Sequence, residues 1–443
     1  MVSERKKSMS NKKIIYQMAL RTFTPEGTLK AAEKLLTHVA SLHVDIIYLC
    51  PVFKADNDED RTTWSPRQIE TNTNNPKNPY KMSDYFNVDE EYGSNEDLKD
   101  FVKEAHKNGL KVLFDLVYLH CGKNAVFIKE NPDFVEQNAD GTIAVGEQWP
   151  FARLNFKNPD LRKYLFENMK TFVTEYAVDG FRCDVGDQVP LDFWEESFKA
   201  LKELKPDLIT LNEGTDLNYI KGIFDMEYAF QWTENLVDVF ANAASAQVFR
   251  NYCIQEKEKY GDHTKKLIRT VDTHDTASDA GLNRNEITMT TRGVEAALVI
   301  TTTYEGVPFF WNGYEVCDNA ENCMFSNRDF GRRSAANWSR GFTHDGARRM
   351  EFIKKIHTIF NECDIVNDGM LEWVDNDAED AVISYLKSYQ DKKVLVAVNT
   401  KNKNVDVNID IDPKEIYIVS GVTLLDKGAV MEPYGYIVTE IND

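Results

Sequence analysis

Hydrophobic positions along the chain follow two spacings in turn. Short apolar runs are each followed by a stretch in which apolar residues recur every three to four positions, the pattern of buried parallel strands joined by crossover helices. Residues 14–19 form the first run. Leu29, Ala32, Leu35, Leu36, Val39, Ala40 and His43 then fall at helical spacing, and residues 45–49 predict the next strand. A second unit opens at Ser94, which has capping-box spacing to Asp97; Leu98, Phe101, Val102 and Ala105 form its buried stripe, and Gly109 stops it before a strand over 111–117. A third has Asn158 as cap, Pro159 at the first helical position and Leu161, Tyr164, Leu165, Met169, Phe172, Val173 and Tyr176 on one face. It delivers the chain to Gly180-Phe-Arg-Cys-Asp184.

A helix over about 191–204 and a strand over 208–212 continue the rhythm, and residues 223–226, 267–271 and 307–311 supply further strands. Together these make eight, the number that closes a (β/α)8 TIM barrel, so the predicted fold class is α/β. Two regions depart from the pattern. Residues 119–155, after the third strand, read as a short, polar inserted loop domain standing over the barrel mouth. From 367 to 443 strand-like runs replace the helical period and predict a C-terminal antiparallel β-sandwich domain. The barrel itself is then assigned to 1–118 and 156–366.

Charge narrows the ligand. Of 443 residues, 52 are basic and 72 acidic, leaving a formal net charge of −20. Such a field repels phosphate backbones and anionic lipid surfaces, which argues against nucleic acid and membranes as partners and favours a neutral or cationic ligand. The seven cysteines are odd in number and lack CxxC spacing, which suits a reducing compartment. The N-terminus carries Arg5, Lys6, Lys7, Lys12 and Lys13 without the apolar core of a signal peptide, and no apolar run approaches the roughly 20 residues that span a bilayer. A soluble, cytoplasmic protein is the expectation.

In a barrel of this kind the reacting groups stand at the C-terminal ends of the strands. Four segments place polar residues there: Asp115-Leu-Val-Tyr-Leu-His120, Gly180-Phe-Arg-Cys-Asp184, Leu211-Asn-Glu213 and Val271-Asp-Thr-His-Asp275. Singly, each reads as a helix cap or a satisfied structural group. Taken together and in barrel order, they resemble the four signature segments of the α-amylase family of glycoside hydrolases. The resemblance also covers residues 15–23 and 83–93.

The resemblance implies a catalytic set. Asp184 matches the nucleophile, Glu213 the acid/base and Asp275 the third carboxylate that binds sugar hydroxyls. Arg182, two residues before Asp184 on the same strand, faces the same side and can hold that carboxylate ionised. His120 and His274 match the histidines that donate to the sugar being cleaved. Tyr80, in Asn78-Pro-Tyr80, stands where the family stacks a ring under that sugar. Asp115 reads as a support for Arg182. Two carboxyl groups flanking one glycosidic bond suit a retaining mechanism through a covalent glycosyl-enzyme, with the pair about 5–5.5 Å apart.

Two departures from the family pattern matter. Many members bind calcium through an Asn before the first-segment His, and Leu119 occupies that position. A leucine offers no oxygen to a hard cation, so neither a metal nor any other cofactor is expected. After the nucleophile the chain reads Val185-Gly-Asp-Gln188, without the Lys-His pair of many starch-degrading members. The implied activity is hydrolysis of α-1,4-glucosidic bonds in malto-oligosaccharides or soluble starch fragments. The alternatives are an α-1,6-acting or transglycosylating member, or a barrel that binds carbohydrate without catalysis. Trp149, Trp194, Trp232 and Trp311 are candidate sugar platforms, with core packing as the default for most.

Overall fold

A computed structural model describes residues 13–281, 283–327 and 334–442; Arg5, Lys6, Lys7 and Lys12 lie outside them. Strands β1 (Ile15–Met18), β2 (Ile46–Leu49) and β3 (Lys111–Leu116) are followed by a small pair, β4 (His120–Cys121) and β5 (Ala152–Arg153). The chain continues through β6 (Gly180–Cys183), β7 (Ile209–Asn212), β8 (Met226–Glu227), β9 (Ile268–Arg269) and β10 (Val307–Trp311). Eight of these form one parallel sheet in the order β8-β7-β6-β3-β2-β1-β10-β9, and a parallel bridge between Glu227 and Leu267 joins its two ends. The result is a closed (β/α)8 barrel.

Helices form where the periodicity places them, and their caps are built from the expected side chains. Ser94 and Asp97 make a reciprocal capping box for Asn95–Lys107, and Asn158 accepts from two backbone N–H groups ahead of Pro159–Glu175. The strands are buried on both faces, as parallel strands between a barrel interior and a ring of helices must be. Gly180 shows how tightly they pack: a Cβ there would lie 1.9 Å from the carbonyl oxygen of Ile209, its register partner on β7.

The sixth and seventh barrel strands are shorter than the hydrophobic runs suggest. Residues 223–225 do not join the predicted strand, because the Ile223 N–H bonds back to the Tyr219 carbonyl and closes the helix Leu217–Gly222; Asp225 then turns to accept from Thr210. Pairing starts only at Met226. At 267–271, the strand contracts to Ile268–Arg269.

The insertion is more ordered than a loop. Antiparallel β4 and β5 pair His120 with Arg153, and single bridges link Val135 to Leu154 and Gln137 to Ile143. At the C-terminal end, β11 (Met370–Trp373), β12 (Val382–Tyr389), β13 (Lys392–Asn399), β14 (Val405–Val407), β15 (Pro413–Leu424) and β16 (Ala429–Ile441) form an antiparallel sheet centred on β16, which pairs with β13, β14 and bulged β15. Tyr385, Val394, Val396 and Val438 from this sheet join the barrel's hydrophobic core, and Tyr436 Oη donates to Glu295 Oε1 at 2.7 Å. A second, smaller core including Leu395, Val407, Met431 and Ile437 fills its other side.

Candidate active site

Strand register assembles the site. Asp115 on β3 is the direct partner of Arg182 on β6, and Arg182 is the partner of Leu211 on β7, two residues before Glu213. With a side-chain period of two, Arg182 points into the barrel while Phe181 and Cys183 face the helices. Its guanidinium is fully buried and gathers three carboxylates: Nη1 donates to Asp115 Oδ1 at 2.8 Å and to Asp184 Oδ1 at 2.9 Å, and Nη2 ion-pairs with Glu213 Oε2 at 2.9 Å. The rings of Tyr48, Tyr80 and Tyr228 stand around it, 5.6, 5.7 and 5.6 Å from the guanidinium carbon, within cation–π range.

Both carboxyl groups of the predicted reacting pair are constrained on one oxygen. Asp184 Oδ1 is held by Arg182, whereas Oδ2 is buried with no hydrogen-bond partner among the described residues. Glu213 Oε2 accepts the backbone N–H of Val185 at 2.7 Å. Burial pushes both carboxyl groups above their ordinary range; the Arg182 charge opposes this for each. Asp275 goes the other way. Burial alone would raise it, but the neighbouring His274 and the charges of Arg67 and Arg182 hold it below its usual value.

The predicted histidines have different attachments. Gln17 Oε1 takes the backbone N–H of His274, which leaves the Gln17 amide NH2 to donate to His274 Nδ1 at 2.6 Å. The proton of the neutral ring is therefore on Nε2, 2.9 Å from Tyr80 Oη and 3.4 Å from Asp275 Oδ1. Tyr80 Oη in turn donates to Asp115 Oδ2 at 2.8 Å, and its ring stacks on His274 with centroids 5.3 Å apart. His120 is tied to the same loop: its Nε2 donates to the Tyr80 carbonyl at 3.0 Å. Burial pushes this imidazole down to about 4, so it is neutral, with Nε2 committed to the backbone.

All seven predicted site residues except Arg182 line one cavity of about 970 Å³ at the C-terminal mouth of the barrel, at the upper end of the usual range for ligand pockets. Arg182 supports its floor. Trp149 lines the same cavity with Phe151, both rings close to His120, while Trp194, Trp232 and Trp311 are fully buried in the core. Two lining residues had no signal in the sequence. Arg67, on the short helix Pro66–Glu70 between β2 and β3, ion-pairs with Asp275 and, at 2.8 Å, with Asp279 one helical turn further on. Tyr228 directly follows β8.

The position that bears the calcium-ligating Asn in many members of the resembled family does not fit a cation. Leu119 is 3% exposed and packs in the hydrophobic core, and among the described residues no group of three His, Cys, Asp or Glu side chains is arranged to hold a metal.

The family model for the alpha amylase catalytic domain matches residues 5–140 and 150–349. The chain belongs to the α-amylase family. Among curated relatives of this family member, a maltogenic alpha-amylase of Bacillus acidopullulyticus is 25% identical over 415 residues, covering 88% of this chain and 65% of the relative. A cyclomaltodextrinase of Geobacillus thermopakistaniensis is 23% identical over 442 residues, covering 93% and 70% respectively. The chain thus spans about two thirds of the length of these relatives. Among solved structures, a noncanonic maltogenic alpha-amylase of Thermotoga neapolitana superposes with a TM-score of 0.78 at 22% identity, covering 97% of this chain and 98% of the other, and shares the α-amylase fold.

Proposed function

We propose that this α-amylase family member is a retaining glycoside hydrolase that cleaves α-1,4-glucosidic bonds of malto-oligosaccharides. The observation that carries this reading is the grip of Arg182 on both Asp184 and Glu213, with Asp184 Oδ2 left unpartnered in the wall of the cavity. Two carboxyl groups held on one guanidinium, one with a free oxygen, suit attack and protonation at a single glycosidic bond.

Burial favours one proton shared by the pair, and we place it on Glu213, since Arg182 hydrogen-bonds Asp184 directly. Glu213 protonates the departing oxygen as Asp184 Oδ2 attacks the anomeric carbon. Water, deprotonated by the same Glu213, then releases the sugar with its configuration kept. Asp115, Asp184 and Asp275 outnumber the cations Arg182 and Arg67, so the site favours the positive charge that develops on the sugar ring. The roles of Tyr80 beneath that ring and of His120, His274 and Asp275 around its hydroxyls belong to this proposal, as do the division into barrel, insertion and C-terminal domain at residues 119, 156 and 367.

The relatives' names, maltogenic amylase and cyclomaltodextrinase, support short or cyclic α-1,4-glucans as substrates. No described helix is long and apolar enough to cross a membrane, and the described cysteines are all free, which supports a cytoplasmic setting. The test is a product panel of maltotriose to maltoheptaose, pullulan and panose, with early anomers read by NMR. Release of α-anomers from the linear α-1,4 series is the expected result. β-Anomers first, or cleavage confined to α-1,6 bonds, would overturn the mechanism or the linkage.

A further inference from the structure

Three phenols surround Arg182, and they are not equivalent. Tyr48 and Tyr80 donate to Asp115 Oδ2, at 2.6 and 2.8 Å. Tyr228 is just as deeply placed, 2% exposed, yet its hydroxyl has no hydrogen-bond partner among the described residues. A buried donor left unmade is costly, and a phenylalanine would serve the packing of this ring against Phe309 equally well. The residue lines the catalytic cavity, so the missing acceptor is one that enters from the cavity.

Position indicates which part of the ligand supplies it. The Tyr228 backbone N–H bonds to the carbonyl of Asn212, the residue before Glu213, so its side chain rises beside the acid/base. Its ring lies 5.4 Å from Phe230, a lining residue 41% exposed at the cavity mouth, which offers an apolar face on the same flank. Across the barrel from β8 lies β2, and the path that follows it brings Arg67 and Tyr80 into the cavity, whereas His274 and Asp275 follow β9, the neighbour of β8. Burial pushes the Tyr228 phenol well above its ordinary value despite the Arg182 charge, so it is a permanent donor near neutral pH.

We propose that Tyr228 binds substrate on the leaving-group side: its O–H donates to a hydroxyl of the sugar unit that departs from Glu213, with Phe230 packing against that unit. This rests on the glucan-cleaving reading above.

The test compares wild type with Tyr228→Phe on maltotriose, whose leaving group is a sugar, and on 4-nitrophenyl α-maltoside followed by nitrophenol release, whose leaving group has no sugar hydroxyls. The expected result is a fall of about tenfold in the ratio of kcat/KM for maltotriose over the aryl maltoside, the scale of one hydrogen bond, with an equal or higher Tm because an unsatisfied polar group is removed. An unchanged ratio in an active enzyme overturns the assignment, and so does a Tm lowered by several degrees with equal losses on both substrates, which would show that the hydroxyl serves the fold. A wild type inert toward both substrates instead overturns the glucan-cleaving reading, and with it the premise.

Discussion

The backbone N–H of Val185 donates to Glu213 Oε2 at 2.7 Å, and Val185 makes this bond from a left-handed conformation, φ 43° and ψ 43°. A β-branched residue rarely adopts that conformation, and the cost is held by the surrounding structure: Asp184 N–H bonds to Leu116, and Gly186 N–H bonds to the Glu213 carbonyl. The turn after Asp184 thereby fixes one oxygen of Glu213, which under the proposed mechanism leaves the other to carry the proton. Glu213→Gln preserves the acceptor for Val185 and removes the proton donor. Its kcat on maltotriose is expected to fall by about 10²–10⁴-fold, with Tm unchanged and sugar binding retained by calorimetry. Turnover within tenfold of wild type would remove Glu213 from its role.

Arg67 crosses the cavity mouth to meet Asp275 and Asp279, and its positive charge is one of the reasons that Asp275 stays ionised in a buried site. Arg67→Met withdraws that charge, so the Asp275 carboxyl rises and must lose its proton at higher pH. The acidic limb of the kcat/KM profile, which reports the free enzyme, is expected to move upward in pH, with little change in Tm because the arginine is partly exposed. An acidic limb that stays in place would show that Asp275 does not govern it.

The cluster around Arg182 was legible because it follows strand periodicity. Once Gly180 to Asp184 is read as a strand end, alternation turns Arg182 inward and parallel pairing sets it beside Asp115 and near Glu213. Arg67 and Tyr80 reach the site through the long path between β2 and β3, whose route is set by tertiary contacts such as the Ala55–Met82 bridge. Tyr80 was found through a family motif, and Arg67 had none. The strands at 223–226 and 267–271 were read as too long for a related reason. Apolar residues in a short run are buried whether they pair in a sheet or close a helix, and only hydrogen bonds such as Ile223 to Tyr219 tell the two apart.

Leu119 packs in the core where many family members place a calcium-ligating Asn. The insertion is held instead by protein groups: Tyr85 Oη donates to the carbonyls of Val117 and His120, and Asn124 Nδ2 donates to Asp56. Prolonged treatment with EDTA or EGTA is therefore expected to leave both activity and Tm unchanged. A loss of several degrees, restored by added calcium, would show a cation site formed from other groups.

Glu227, at the end of β8, is fully buried, and neither of its carboxyl oxygens has a hydrogen-bond partner among the described residues. Burial, reinforced by Asp187 and Asp216 against the weaker pull of Lys259, pushes it up to about 8. In the unfolded chain the same group titrates near 4.3. Between these values the folded protein keeps a proton that the unfolded chain releases, so this residue's contribution to stability declines as pH rises from about 4.3 to 8 and levels off above. Glu227→Gln keeps the shape and the register opposite Asn212 on β7 but cannot ionise. The variant is expected to match wild type in Tm near pH 5 and to exceed it near pH 8, in melting curves at constant ionic strength. An equal or lower Tm for the variant at pH 8 would show that Glu227 is not the group whose ionisation weakens the barrel's sixth strand.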